Sequence, residues 1–405
     1  MRRTRYWPIF LSWITLFVFQ AAFTVPIRSD ETITIDADFP GGNIIVDRIE
    51  VDQIFLHQDL RDTKGDWFYW YFRVRGAERR SLVFYFTQSS AIGVRGPAVS
   101  LDEGKTWRWL GKEAVHEQSF RYTVPDSIPE VRFSFAIPYV EADLNAFLTP
   151  YRDHPNFKIE KLCQTNKGRI VERLHVGRLD GRSEHRVLLT CRHHACEMMA
   201  NFVLEGVMET VLSESDDGQW FREQIEFLMI PFVDKDGVEE GDQGKNRIPH
   251  DHNRDYESIS IYPSVQAIRS FVPPWSTGKL HIAIDLHCPY ISGPNNENIY
   301  FVGSPDAENW KRVERFSEIL EQVQTGPLIF RKKNNIPFGQ AWNTAGNYTA
   351  GKSCGRWTSE LAGIWFGTSI EIPYANANDC EVTAETARWF GRDLAKAMRI
   401  YLENQ

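Results

Sequence analysis

The run Arg186-Val187-Leu188-Leu189-Thr190-Cys191, followed after Arg192 and His193 by His194-Ala195-Cys196-Glu197 and then by Met198 to Leu212, decides the reading of this chain. Its first six residues are a compact apolar stretch suited to a buried strand, and Met198 to Leu212 carries apolar residues at helical spacing. His194 and Glu197 therefore fall at a strand-to-helix junction. In open α/β sheets, the loops at the carboxyl ends of the strands are where ligands bind. Two further strands deliver polar residues in the same way. Leu280-His281-Ile282-Ala283-Ile284-Asp285-Leu286 ends on His287, and Gly367-Thr368-Ser369-Ile370 ends on Glu371. A fourth segment, Asp251-His252-Asn253-Arg254, adds an amide and a guanidinium.

Two His and one carboxylate can hold a zinc ion at three positions and leave a fourth for water, which is the open coordination of a catalytic site. Glu371 would then take the proton from that water, and Asn253 with Arg254 would hold a substrate carboxylate through charge-assisted contacts. His193 competes with His194. Only His194 stands three residues before Glu197, the separation that lets both side chains converge on one ion from the first helical turn. Each motif alone is weak: with 11 His in the chain, about one accidental His-x-x-Glu is expected. The order of the four segments carries the argument.

That order resembles the zinc carboxypeptidase family, and more narrowly its cytosolic-carboxypeptidase-like branch, over most of the chain. The family pattern is His-x-x-Glu, a strand ending in Pro-x-x-Asn-Pro-Asp-Gly, then Asn-Arg, Asp-x-His and a late Glu on a strand. Here the second element reads Pro231-Phe232-Val233-Asp234-Lys235-Asp236-Gly237, with Asp234-Lys235 in place of Asn-Pro. The resemblance implies His194, Glu197 and His287 as ligands of one zinc ion per chain, Glu371 as general base, and Asn253 with Arg254 as the clamp for a terminal carboxylate. The implied activity is hydrolysis of the last peptide bond of a peptide or protein. A cation that polarises the scissile carbonyl is also implied, and both Lys245 and Arg247 qualify. Arg247 is preferred, because a planar guanidinium makes two parallel bonds where Lys offers a point charge. Tyr348 is the counterpart of a family Tyr that covers bound substrate, with a packed aromatic as the plain alternative. Lys352 and Arg356 lie in the stretch before Glu371 from which pocket residues come, and imply a preference for acidic terminal residues. Two other readings remain: an N-acyl amino acid deacylase resembling aspartoacylase and succinylglutamate desuccinylase, which carries its small β-domain after the catalytic part, and a non-catalytic exported binding protein on the same scaffold.

Ahead of this region, aromatic and β-branched runs alternate with turn residues: Asp66-Trp67-Phe68-Tyr69-Trp70-Tyr71-Phe72, Leu82-Val83-Phe84-Tyr85-Phe86 and Val131-Arg132-Phe133-Ser134-Phe135. Such spacing predicts an antiparallel β-sandwich. The expected architecture is thus α/β: a β-sandwich domain over residues 30–145, then a mixed-sheet catalytic domain over residues 150–405. Ser100-Leu101-Asp102-Glu103-Gly104-Lys105-Thr106-Trp107 resembles the hairpin loop of sialidase propellers, but a propeller needs repeated blades and only one copy is present. It is read as a turn.

A chain of 405 residues, 42% hydrophobic and 13% aromatic, can bury two cores without disulfides. A net charge of −8 argues against a nucleic-acid binder. Six Cys allow fifteen pairings. Cys191, Cys196 and Cys288 read as small packing residues beside the ligands, and Cys354 and Cys380 flank the Glu371 strand in a way that would let them pair. Arg2, Arg3 and Arg5 precede an apolar run from Tyr6 to Val25, the composition of a signal peptide or N-terminal anchor over residues 1–25. Export, to the periplasm or beyond the cell, is the resulting expectation, with membrane contact only through an uncleaved N-terminal segment.

Overall fold

Four parallel strands form the centre of a seven-stranded sheet, in the order Ile225–Ile230, His185–Cys191, Leu280–His287 and Phe366–Glu371. The computed structural model describes Met1 and residues 32–404 of the chain. The four strands are covered on both faces and so read as nearly continuous apolar runs. Phe157–Gln164 and Ile170–Gly177 extend the sheet antiparallel at one edge, and Tyr300–Val302 does so at the other, which makes the sheet mixed. Because the central strands share one direction, Cys191, Ile230, His287 and Glu371 all end at the same edge. The register sets His287 opposite Glu371 and Asp285 opposite Ser369.

The helices Met199–Leu212 and Ala384–Glu403 cross closely on one face. A Cβ on Gly206 would stand 2.0 Å from the Arg388 carbonyl oxygen, and one on Gly391 would stand 2.2 Å from that of Val203. Only glycine permits that approach. Glu205, buried at this crossing, accepts from the Tyr139 hydroxyl at 2.6 Å and from Arg388 Nε at 2.7 Å. Burial pushes its carboxyl up to about 7 from an ordinary 4.5, against the pull of Arg388. The native state therefore holds this proton where the unfolded chain has lost it, so stability falls as pH rises from about 4.5 to 7, by as much as about 3 kcal/mol. Chemical denaturation across that range should give a shallower decline for Glu205→Gln than for the wild type. Parallel profiles would contradict the assignment.

Two five-stranded sheets precede the central one. The first runs Thr34–Asp36, Tyr71–Arg75, Glu130–Ser134, Ala98–Ser100, Arg108–Trp109. The second runs Ile45–Glu50, Gln53–His57, Ser81–Phe86, Ser119–Thr123, Val115–His116. Their inner faces meet through aromatic rings: Phe72 and Phe133 of the first sheet pack on Phe84 and Phe120 of the second, with centroids 5.2 to 5.5 Å apart. One pair, Gln53–His57 with Ser81–Phe86, is parallel, so the expectation of a purely antiparallel sandwich is corrected at that point. The strand expected from Asp66 begins only at Tyr71. The residues before it belong to a loop that reaches the catalytic region. In the Ser100–Trp107 turn, Asp102 accepts from the Thr106 N–H at 2.9 Å.

All six Cys are free, so Cys354 and Cys380 do not pair. Cys191, Cys196 and Cys288 are buried packing residues. The leader expected over residues 1–25 lies outside the described residues, Met1 apart.

Candidate metal centre and substrate cleft

His194 follows the strand His185–Cys191 by three residues, and Glu197 sits two residues before the helix Met199–Leu212. His287 ends the neighbouring strand. The three converge: Nδ1 of His194 lies 2.9 Å from one Glu197 oxygen, and Nδ1 of His287 lies 2.6 Å from the other. Two imidazole nitrogens and a carboxylate oxygen, all within 4.8 Å of one another, form a donor set that suits zinc. Each imidazole is backed by a second carboxylate. Asp251 lies 3.2 Å from Nε2 of His194, and Asp285 lies 2.5 Å from Nε2 of His287. A proton held on Nε2 by these partners leaves Nδ1 free to ligate. Burial alone would depress both imidazoles, yet Glu197 with Asp251, and Asp285 with Glu197, hold them above their ordinary range. Glu197, despite burial, is kept well below the carboxylate range by His194, Lys245 and His287.

His193, Asp285 and His287 make a second such group, sharing His287. His193 is fully buried, with Nδ1 2.7 Å from Asp285 and Nε2 2.7 Å from the Tyr256 hydroxyl, and it does not reach the cleft. His194 does.

The cleft is a cavity of about 420 Å³ lined by His194, Lys245, Asn253, Arg254, His287, Tyr348 and Glu371, among others. Glu371 stands opposite His287 in the sheet, and burial raises its pKa from the ordinary carboxylate value. Its Oε2 is buried and has no hydrogen-bond partner. Asn253 is anchored: its Oδ1 accepts the Cys354 N–H at 2.8 Å and its Nδ2 lies 3.1 Å from His287. Arg254 donates one Nη1 bond to the Asn253 carbonyl at 2.8 Å and lines the cavity.

Three of the expected cations are placed otherwise. Arg247, preferred over Lys245 from the sequence, does not line the cleft. Its guanidinium pairs with Asp234, with Asp242 at 2.8 Å and with Asp62 at 3.6 Å. That correction has a plain electrostatic cause, since three buried carboxylates outbid an open cleft for a guanidinium. The Asp234 that replaces the family Asn is one of them, and was the available signal. Lys245 takes the cleft position instead: its ammonium lies 2.6 Å from Glu197 and donates to the Cys288 carbonyl at 2.9 Å. Lys352 is drawn to Glu360 at 2.5 Å, and Arg356 lies 3.6 Å from the same carboxylate with its guanidinium 5.0 Å from the Tyr348 ring. The sequence reading missed Asp251 and Asp285 as partners of the two candidate imidazoles. The Asp-x-His spacing on a strand held the signal for Asp285, since residues two apart share a face. Nothing local marked Trp67, which enters the cleft from the N-terminal sheets.

Residues 144–279 match the family model described as zinc carboxypeptidase. Among curated relatives, cytosolic carboxypeptidase 6 of Caenorhabditis elegans is 23% identical over 67% of this chain and 65% of its own length. Human cytosolic carboxypeptidase 2 is 24% identical over 70% of this chain and 35% of its own. The chain thus spans from about a third to just under two thirds of the length of these two relatives. Two solved structures share the fold. A metallo-carboxypeptidase from Burkholderia cenocepacia has a TM-score of 0.76 at 19% identity, covering 92% of this chain and 99% of that one. A metallo-carboxypeptidase from Pseudomonas aeruginosa, in complex with (2-guanidinoethylmercapto)succinic acid, has a TM-score of 0.74 at 19% identity, covering 91% and 99%. The expectation of export is corrected by these comparisons, because the curated relatives are cytosolic carboxypeptidases. Among the described residues, no helix is long and apolar enough to cross a membrane.

Proposed function

From a chain that carries a zinc carboxypeptidase domain, we propose an enzyme that hydrolyses the last peptide bond of peptides or proteins, with one zinc ion held by His194, Glu197 and His287. The observation that carries this reading is one cavity with two chemically distinct sets of groups. His194 and His287 of the donor set line it together with Glu371 and supply the hydrolytic groups, and Arg254 lines the same cavity as a cation for a terminal carboxylate. The metal, when bound, supplies a water of lowered pKa and polarises the carbonyl. Glu371 takes a proton from the attacking water and passes it to the leaving amine, a task suited to a carboxyl whose pKa burial has raised. Lys245 donates from its ammonium to the carbonyl oxygen as negative charge develops there. Asn253 and Arg254 bind the substrate carboxylate, which restricts cleavage to the last bond because an internal peptide bond has none. Tyr348 covers the bound residue. The β-sheets whose described strands run from Thr34 to Ser134, ahead of the residues that line the cleft from His194 onward, favour this reading over a deacylase.

A preference for acidic terminal residues rests on Arg356, whose guanidinium lies 5.0 Å from the ring of the cavity-lining Tyr348 and 3.6 Å from Glu360, the carboxylate that also holds Lys352. The zinc-loaded protein incubated with a mixed peptide library, its products read by mass spectrometry, tests both points. Loss of single C-terminal residues, richest for Asp and Glu, is the expected result. Intact peptides alongside cleaved N-acyl amino acids would transfer the reading to a deacylase. Arg254→Ala should raise KM with little change in kcat and lower kcat/KM by about 10–100-fold, the worth of a charged hydrogen-bonded contact. A C-terminally amidated peptide should be refused to a similar degree. Equal turnover of acid and amide would remove the clamp from the mechanism.

A further inference from the structure

The loop from Gln58 to Trp67, which belongs to the N-terminal sheets, grips the segment that carries Lys245. The two carboxylate oxygens of Asp62 accept the Gln243 N–H at 3.1 Å and the Gly244 N–H at 2.9 Å. The Asp62 carbonyl accepts the Ile248 N–H at 2.8 Å, Thr63 forms a β-bridge with Arg247, and the Thr63 hydroxyl donates to the carbonyl of Lys245 itself. At the end of the loop, the Lys245 ammonium lies 5.4 Å from the centre of the Trp67 ring.

The same segment is held from its other side by the turn that bears the metal ligands. The Cys196 N–H donates to the Gln243 carbonyl at 3.1 Å. Gly244 has φ +77°, and a Cβ there would stand 2.2 Å from the Ala195 nitrogen, so the backbone lies directly against His194 and Ala195. Residues 243–246 are therefore clasped between the ligand turn and the sheet loop. A Lys side chain is a point charge on a flexible four-carbon stem, so where its ammonium points depends on how firmly its backbone is set. A buried carboxylate taking two successive N–H groups sets it firmly.

We propose that Asp62 is a positioning residue for Lys245: it fixes the backbone from which the ammonium reaches the scissile carbonyl, and thereby makes the N-terminal sheets a working part of the active site. This rests on the role assigned above to Lys245. A mere staple between two regions would change stability alone. A positioning residue acts through Lys245, so its effect must vanish when that ammonium is gone.

The test uses the full, zinc-loaded chain as wild type, Asp62→Asn, Lys245→Met and the double variant, with kcat and KM on one peptide and hydrogen exchange over residues 242–248. Asp62→Asn should lower kcat by about 10–100-fold, the effect of a small misplacement at the reacting centre, with KM little changed. In the Lys245→Met background it should lower kcat no further, and amides 243 and 244 should exchange faster whether or not substrate is turned over. A wild-type kcat in Asp62→Asn, an equal loss on top of Lys245→Met, or unchanged exchange would each overturn the proposal. If Lys245→Met itself keeps the wild-type kcat, the proposal falls because the role of Lys245 has fallen, a result distinct from the others. Thr63→Val, which removes only the hydroxyl bound to the Lys245 carbonyl, carries the same comparison should Asp62→Asn not fold.

Discussion

Glu371→Gln is expected to lower kcat by about 10³-fold, or about 4 kcal/mol of transition-state stabilisation, while zinc binding and fold stay intact. The amide keeps the size and polarity of the side chain but cannot accept the proton. Because Oε2 of Glu371 is buried without a partner, the substitution breaks no bond at that atom. Burial raises the carboxyl from its ordinary value, with His287 opposing it and Glu197 raising it further. That balance suits a group that must first accept a proton and then give it away. The check is kcat on a short peptide beside the zinc content of the purified variant. If Glu371→Gln retained a tenth or more of wild-type turnover with zinc bound, another group would be the base.

Arg247→Met and Lys245→Met should fail in opposite ways. Arg247 is held by Asp234, Asp242 and Asp62, and those carboxylates keep its guanidinium firmly charged against the burial that opposes it. Removing it leaves buried carboxylates uncompensated, with an expected loss of about 3–5 kcal/mol in unfolding free energy. Enzyme that remains folded should keep a near-normal kcat. Lys245→Met should unfold close to the wild type, since the bound metal takes over the charge of Glu197, but kcat should fall by about 10²–10³-fold for the lost donor at the developing oxyanion. Urea denaturation and steady-state kinetics on both variants decide the matter. A stable, inactive Arg247→Met protein would return the carbonyl contact to Arg247.

The departure of Asp234-Lys235 from the family Asn-Pro is accounted for by the same partners. Asp234 caps the helix Lys235–Glu240 by accepting the Gly237 N–H at 3.0 Å, and it also pairs with Arg247. The Lys235 ammonium is buried between Glu141 at 2.9 Å and Glu172 at 3.0 Å. Lys235 thus ties the helix Glu141–Leu148 and the strand Ile170–Gly177 to the helix Lys235–Glu240, and Asp234 ties that helix to Arg247.

Much of the molecule was legible from local pattern. The strands ending at Cys191, His287 and Glu371 were visible because both faces of each are buried and the runs are apolar without interruption. The candidate donor set was visible for a related reason: His194 and Glu197 lie within one turn, and His287 and Glu371 each close a strand, so their directions follow from local geometry. What local pattern could not supply was the choice between two cations two residues apart. Lys245 and Arg247 differ in destination because Asp62, Asp234 and Asp242, distant in the chain or across a turn, gather around one and leave the other to Glu197. The same holds for Trp67, which lines the cleft, and for Asp62, which accepts the Gln243 and Gly244 N–H groups, because both contacts arise only when the N-terminal sheets pack on the segment around residues 243–247. Sequence alone therefore determined the fold class and the converging strand ends, which depend on short-range periodicity and burial. The tertiary structure decided which charges meet, because an ion pair between remote segments is set by packing and desolvation, and neither is written in the spacing of the residues.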